Sequence, residues 1–261
     1  MRATKPLIIV ALLLAVTLGA STLWSATAFD PSRSDPRAIQ LADQVIANIG
    51  GAKAWNDLHY LSWTFTVYVH DTLRVTRRHY WDKWTGWHRV DGVSRTGTPF
   101  CFIDNLNTKE GHAWMGGTAI EGDSLKKLLT RSYAMWVNDL YWVAMPFKLK
   151  DPGVMLQMDS TKTEGDQTWD KLALSFESVG LTPGDHYWLF VNRATHRIDR
   201  WEMVLQSDQP PPVGYEWSGW TQTGGCWFST VRTNKDAKMS FTVAAPSAMP
   251  KDAFTSNAPM P

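Results

Sequence analysis

The chain has 261 residues, with 26 Lys plus Arg against 25 Asp plus Glu and no block of like charge. Near-neutral, evenly mixed charge leaves no electrostatic footprint for a nucleic-acid partner. Two cysteines without CxxC spacing exclude a cysteine-based zinc or dithiol redox motif, and the unusual feature is 15 Trp, more than either the 10 Phe or the 7 Tyr.

Arg2 and Lys5 precede an uncharged run, Pro6 to Phe29, that ends near Ala26-Thr27-Ala28. A short positive region, an apolar segment and a small-x-small site predict a secretory signal over residues 1–28. The run is also long enough for an uncleaved N-terminal membrane anchor. Removing 28 of the 261 residues leaves 233, the size of one large β domain over 29–261, and turns the formal charge from +1 to −1. Export to the periplasm or beyond makes a Cys101–Cys226 disulfide possible; two separate buried thiols are the alternative.

Asp35-Pro36 combines an N-cap acceptor with Pro at the first helical position. Ala38, Leu41, Ala42, Val45, Ile46 and Ile49 follow at helical spacing until Gly50-Gly51. A short turn, "AKAW", comes next. In "LSWTFTVYVH" the residues Leu61, Trp63, Phe65, Val67 and Val69 alternate with polar ones, which predicts a strand with one buried face. "TLRVTRRHYW" pairs with it as a hairpin across His70-Asp71, and shorter strands are expected near residues 87–90, 98–103 and 111–115. A second helix begins near Asp123-Ser124, with Leu125, Leu128, Leu129, Ser132, Met135, Trp136 and Leu140 along one stripe. It runs into "LYWVAMPFKLKDPGV", where Pro146 ends the helix and disfavours helical geometry at Met145. The segment is expected to cross a surface, turn at Asp151-Pro152-Gly153 and enter a strand at Val154. The remainder reads as strands separated by turn signals, hence as antiparallel neighbours. The tail after Pro246 is expected to fray, with Phe254 as a possible anchor.

The pattern predicts a mainly β (α+β) fold: a strongly curved, half-open antiparallel barrel of about ten to twelve strands, with two helices against the concave face. A helix ending "GGAKAW", then "LYWVAMPFKLKDPGV", then "KLALSFESVGLTPGDHYWLFVNRATHRIDRWEM" resembles a group of uncharacterised bacterial exported proteins. In architecture that group is similar to the periplasmic outer-membrane lipoprotein carriers. The resemblance implies a half-open sheet with helices as a lid over an apolar cavity. It transfers no functional residue, and fold alone does not fix function.

None of the seven histidines, His59, His70, His79, His88, His112, His186 and His196, makes metal-ligand spacing; they read as surface or edge residues. Neither a metal nor a cofactor is implied, and no nucleophile elbow or P-loop is present. Asp185-His186 follows Pro183-Gly184, which makes Asp185 a turn residue rather than an acid–base partner. Lys148 and Lys150 read as a solvated edge or as a basic rim for a lipid head group. The Trp surplus predicts a partly vacant apolar hollow, with Trp63, Phe65, Trp114, Trp136, Trp142, Phe147, Trp188 and Trp201 as cavity candidates. The expectation is non-catalytic binding of a lipid or other hydrophobic small molecule by a monomer, with a membrane or lipoprotein as possible donor or acceptor. The alternatives are a carbohydrate-binding module using Trp84, Trp87, Trp217 and Trp220, and an exported hydrolase using Asp159, Glu164, Asp170 or Glu177.

Overall fold

Two antiparallel meanders, one from each half of the chain, join side by side in a single thirteen-stranded sheet. The first comprises β1 (Tyr60–Val69), β2 (Thr72–Asp82), β3 (Trp87–Val93), β4 (Pro99–Asn105), β5 (Gly111–Met115) and β6 (Thr118–Ile120). The second comprises β7 (Val154–Glu164), β8 (Gln167–Phe176), β9 (His186–Asn192), β10 (Ile198–Val204), β11 (Val213–Thr223), β12 (Cys226–Thr233) and β13 (Ala237–Ala244). The structure, a computed structural model, describes residues 28–177 and 180–260. The predicted signal segment lies outside the described residues except for Ala28. Among the described residues no helix is long and apolar enough to cross a membrane.

The first and last strands pair at the centre, with Phe65 opposite Phe241, so β6 and β7 are the two edges. One helix, α3 (Gly122–Ala144), leaves β6 and leads to β7. Its 23 residues span about 35 Å, whereas thirteen strands laid flat would spread over about 58 Å. The link therefore draws the edges together, and the sheet curls around α3, which touches β3, β4 and β5 in one meander and β12 in the other. The result is the half-open curved sheet with helices in its hollow that the resemblance implied. The strand number exceeds the expectation by one; the three-residue β6 is too short to show a period.

Near the start, α1 (Pro36–Asn48) begins as expected, with Asp35 accepting from the Arg37 backbone N–H at 2.8 Å. It buries Ala38, Leu41, Ala42, Val45 and Ile46, the stripe read from the sequence. Each large member contributes about 1.5–3 kcal/mol by leaving water. The chain just before α1 seals the β7 edge. Asp35 N–H donates to the Leu156 carbonyl and Leu156 N–H donates to Ser34 Oγ, both at 2.9 Å. The "AKAW" turn is a full short helix, α2 (Gly51–Asp57). Gly50 turns the corner between the two at φ 118°, where an added Cβ would sit 2.3 Å from the Gly225 carbonyl.

Two expectations are corrected, and the choice left open for the cysteines is decided. After α3 the chain does not cross a surface. Met145 keeps helical dihedrals and opens a 3-10 turn, Met145–Lys148, whose Met145, Pro146 and Phe147 are buried, as is Leu149 beyond it. Apolar side chains outweigh the local bias imposed by Pro146. The C-terminal tail is docked, not frayed. The Arg89 guanidinium, 1% exposed, donates to the carbonyls of Ser256 and Ala258, each at 2.7 Å, on the convex side of the sheet. Cys101 and Cys226 are free. They stand on β4 and β12 with four strands between them, Cys101 lining the tail cavity on the convex face and Cys226 in the concave core. Burial pushes the thiols up to about 12 and about 11.

Two outcomes follow. Both thiols should resist a maleimide in the native protein and react together on unfolding, as read by intact-mass spectrometry. Gly50→Ala should lower the unfolding free energy by more than about 1 kcal/mol in urea, since it adds both a strained φ and a backbone clash.

Candidate functional site

The concave face and the C-terminal half of α3 meet in an aromatic bowl. From the sheet come Trp63 and Phe65 on β1, Trp81 on β2, Trp201 on β10 and Trp217 on β11; from the helix come Trp136, Tyr141 and Trp142. Trp142 lies edge-on to Trp201, with ring centroids 4.7 Å apart, and edge-on to Tyr215 at 5.3 Å. Trp136 meets Trp81 edge-on at 5.1 Å, and Phe147 stacks on Trp55 of α2 at 4.8 Å. Six of the eight predicted cavity residues thus come together. The other two do not. Trp188 lies opposite Glu202, with Lys171 over its ring, on the convex face. Trp114 lines a cavity of about 400 Å³ between the convex face and the docked tail.

The bowl is filled in this structure. Trp63 and Trp201 are each 1% exposed. The vacancy expected from the Trp surplus is taken up by α3 and the turn after it, which insert Leu140, Trp142, Val143, Met145 and Phe147. Alongside the tail cavity, a second one of about 570 Å³ opens by Arg200, Glu216 and Lys235, on the convex side.

Packing in the bowl is apolar, but its polar atoms are not all matched. The indole N–H groups of Trp63, Trp81, Trp136, Trp201 and Trp217 and the Tyr141 hydroxyl are buried without a hydrogen-bond partner in the protein. An unmatched buried donor costs about 1–3 kcal/mol, and native proteins hold few of them. A group of five indoles in one place is therefore a property of the site.

A polar seam fastens α3 to the first meander. Arg77 on β2 donates two parallel bonds to Asp139 of α3, at 2.6 and 2.7 Å. Asp139 also meets His79 Nε2 at 2.8 Å; His79 Nδ1 meets His88 Nε2 at 3.0 Å, and His88 Nδ1 meets Asp104 at 2.9 Å. Ser132, two turns before Asp139 on α3, closes the chain by donating to Asp104 at 2.5 Å. Trp63 lies flat on His79, with ring centroids 4.5 Å apart. His79, His88, Ser132 and Asp139 are fully buried. Burial pushes His79 down to about 4, against its bond to Asp139. For Asp139 burial acts upward, but Arg77 and the His79 bond outweigh it and hold the carboxyl below its usual value. An ionised Asp139 accepts His79 Nε2–H, which leaves Nδ1 of the neutral ring to accept His88 Nε2–H.

The second fastening is Arg232 of β12, fully buried, with its guanidinium 3.4 Å from the Trp217 ring centroid. It donates to the Trp142 carbonyl in the last turn of α3 at 3.0 Å, where the helix dipole favours a cation. No carboxylate among the described residues pairs with it; burial drives its pKa down.

Reading the histidines as surface residues is therefore corrected for His79 and His88. One signal was present: Ser132 sits in an otherwise apolar helical stripe, a position that needs a polar partner. The other candidates scatter. Asp185, 4% exposed, accepts from Tyr187, Thr182 and the Gln206 backbone as a structural turn carboxylate. Asp159, Glu164, Asp170 and Glu177 form ion pairs with Lys171, Lys162, Arg193 and Arg33 and do not converge. Of the four Trp proposed for sugar stacking, Trp84 is 64% exposed while Trp217 is buried. Lys148 pairs with Asp151, and Lys150 with Asp43 at 2.8 Å. Among the described residues no group of His, Cys, Asp and Glu could hold a metal ion.

No protein-family model matches the chain, and no curated protein is similar to it. Among solved structures it is similar to a LolA superfamily protein from Nitrosomonas europaea, at 9% identity over 84% of this chain and 98% of that one, with a TM-score of 0.48. A DUF1329 family protein from Desulfovibrio piger gives 9% identity over 85% and 98%, with a TM-score of 0.46. Lipoprotein LppX from Mycobacterium tuberculosis gives 11% identity over 80% and 95%, with a TM-score of 0.32. These are likenesses of fold, and no residue role is taken from them.

The seam gives an acid dependence of known sign. His79 has a folded pKa near 4, below its ordinary 6.5, so between those values the unfolded chain binds more protons. Stability is fully present above pH 6.5 and falls as the pH drops toward 4, by at most on the order of 3 kcal/mol. Asp139 adds a further loss only below the ordinary carboxylate range. Urea unfolding across this window should show the slope, and His79→Gln should flatten it.

Proposed function

We propose that the protein binds a hydrophobic molecule in the aromatic bowl, non-catalytically, with α3 as a lid that lifts to admit it. The observation that carries this reading is the set of unmatched indole N–H donors where α3 meets the sheet. A core selected for packing alone favours Leu, Ile and Val, which leave no polar atom unpaired. Indoles suit a surface that is apolar yet meets a changing partner, because each offers a large flat face and one donor.

The seam fits a lid. Ser132 and Asp139 hold α3 through polar contacts to Asp104, Arg77 and His79, and such groups regain hydrogen bonds to water when the helix lifts. A helix fixed by apolar contacts alone would expose its whole stripe with no such return. An acyl chain of roughly 14 carbons would gain on the order of 11 kcal/mol gross at about 0.8 kcal/mol per CH₂, against several kcal/mol for ordering and lost freedom. The surplus allows loading and release. Export and a membrane or lipoprotein donor accord with this reading.

The test uses a fluorescent fatty acid. Trp136→Ala and Phe147→Ala should weaken its binding at least tenfold, more than their thermal destabilisation explains. Asp139→Asn, which loosens the seam, should speed uptake severalfold in stopped-flow fluorescence while lowering stability. No binding by the wild type, or equal loss of binding and stability, would leave the bowl as ordinary core.

A further inference from the structure

At the margin of the bowl lies a cation without a carboxylate partner among the described residues. Lys83, on the turn after β2, is partly exposed and lies at the face of Trp55, its ammonium 3.9 Å from the ring centroid and 5.8 Å from that of Trp81. Its hydrogen-bond partner is the Trp55 backbone carbonyl. No carboxylate among the described residues forms an ion pair with it, unlike Lys148 and Lys150, whose charges are matched by Asp151 and Asp43. The nearby Cys226 supplies no counter-charge, since burial pushes its thiol up to about 11 and keeps it neutral. Asp82, next in sequence, is occupied by His59 and by the backbone of Trp84 and Thr85. Burial pushes the Lys83 ammonium down to about 8, and the neighbouring Lys148 acts the same way, so it is still mostly charged at pH 7.

The aromatic wall behind Lys83 is continuous with the bowl. Trp55 stacks on Phe147, Phe147 touches Phe228, and Trp81 meets Trp136. Deeper in, Arg232 repeats the pattern of a cation held by carbonyls and a ring without a carboxylate. Beside Lys83, Trp84 is exposed and stacks on His59 at 3.9 Å, a flat apolar surface at the rim. A cation kept partly out of water without a counter-ion is unfavourable by itself, and favourable once an anion arrives.

We propose that Lys83 receives the anionic head group, carboxylate or phosphate, of a single-chain amphiphile whose tail enters the aromatic bowl. This rests on the carriage reading and adds the charge of the cargo to it. The head group would accept from the Lys83 ammonium, displacing its bond to the Trp55 carbonyl. The tail would follow the line of Trp55, Phe147 and Trp136.

The experiment titrates the full chain with hexadecanoic acid, hexadecyl phosphate and hexadecanol, followed by tryptophan fluorescence and native mass spectrometry. The anionic probes should bind about tenfold or more tightly than the alcohol, the worth of one charge-assisted bond. In Lys83→Met that ratio should fall toward one; in Lys83→Arg it should persist. Inorganic phosphate should not compete at concentrations comparable to the amphiphile. A ratio that survives in Lys83→Met overturns the head-group site while leaving carriage intact. Equal binding of all three probes by the wild type does the same. If none of the probes binds, carriage fails and the head-group site falls with it. Competition by inorganic phosphate at low concentration would mean a free-anion site, and would overturn the link to the bowl.

Discussion

The contact of α3 with the concave face is the constraint on which the rest of the structure depends. A sheet of thirteen strands has two distant edges, and here one helix leaves the first edge and feeds the second. The sheet can satisfy that connection only by curling, and the curl turns one face inward. Every inward side chain must then find a partner on α3, α1 or α2. The aromatic bowl is what results from this closure.

Two kinds of contact hold the helix there, and they differ in character. Trp142 packs against Trp201 and Tyr215 of the second meander, and Phe147, in the turn just beyond α3, against Phe228. Asp139 and Ser132 reach the first meander through the half-buried Arg77 and the buried chain of His79, His88 and Asp104. A buried ion pair contributes little net stability, because desolvation offsets attraction, but breaking it by removing one partner is costly. Such contacts specify where a helix sits more than how tightly it sits. Arg232 adds a third fixed point at the C-terminal end of α3.

The unmatched donors and the unmatched cations describe the same site from two sides. The indole N–H groups lie within the bowl; Lys83 lies at its margin and Arg232 in its depth. A core built for stability alone would avoid all of them. Their concentration where helix meets sheet separates this region from the surface charges that pair locally, within one helix, strand or turn.

Local pattern was enough to reveal much of this protein. The α1 stripe, the alternation of β1, the His70-Asp71 hairpin and the strand beginning at Val154 all appear where period and turn chemistry placed them, because each depends on near neighbours in the chain. A curved antiparallel sheet with helices inside it followed from their order. The site was only half legible. Trp63, Phe65, Trp136, Trp142, Phe147 and Trp201 could be chosen as large apolar residues on inward-facing elements. Trp114 and Trp188 could not be separated from them, since which face of a strand turns inward is set by the curl of the whole sheet. The seam was hidden for the same reason: His79 and Asp139 are 60 positions apart and meet only when α3 crosses the bowl. Nothing in the local sequence marks Lys83; that it lacks a carboxylate is a fact about its neighbours in space. Sequence settled the elements and their order, while closure of α3 over the concave face decided which side chains became a site.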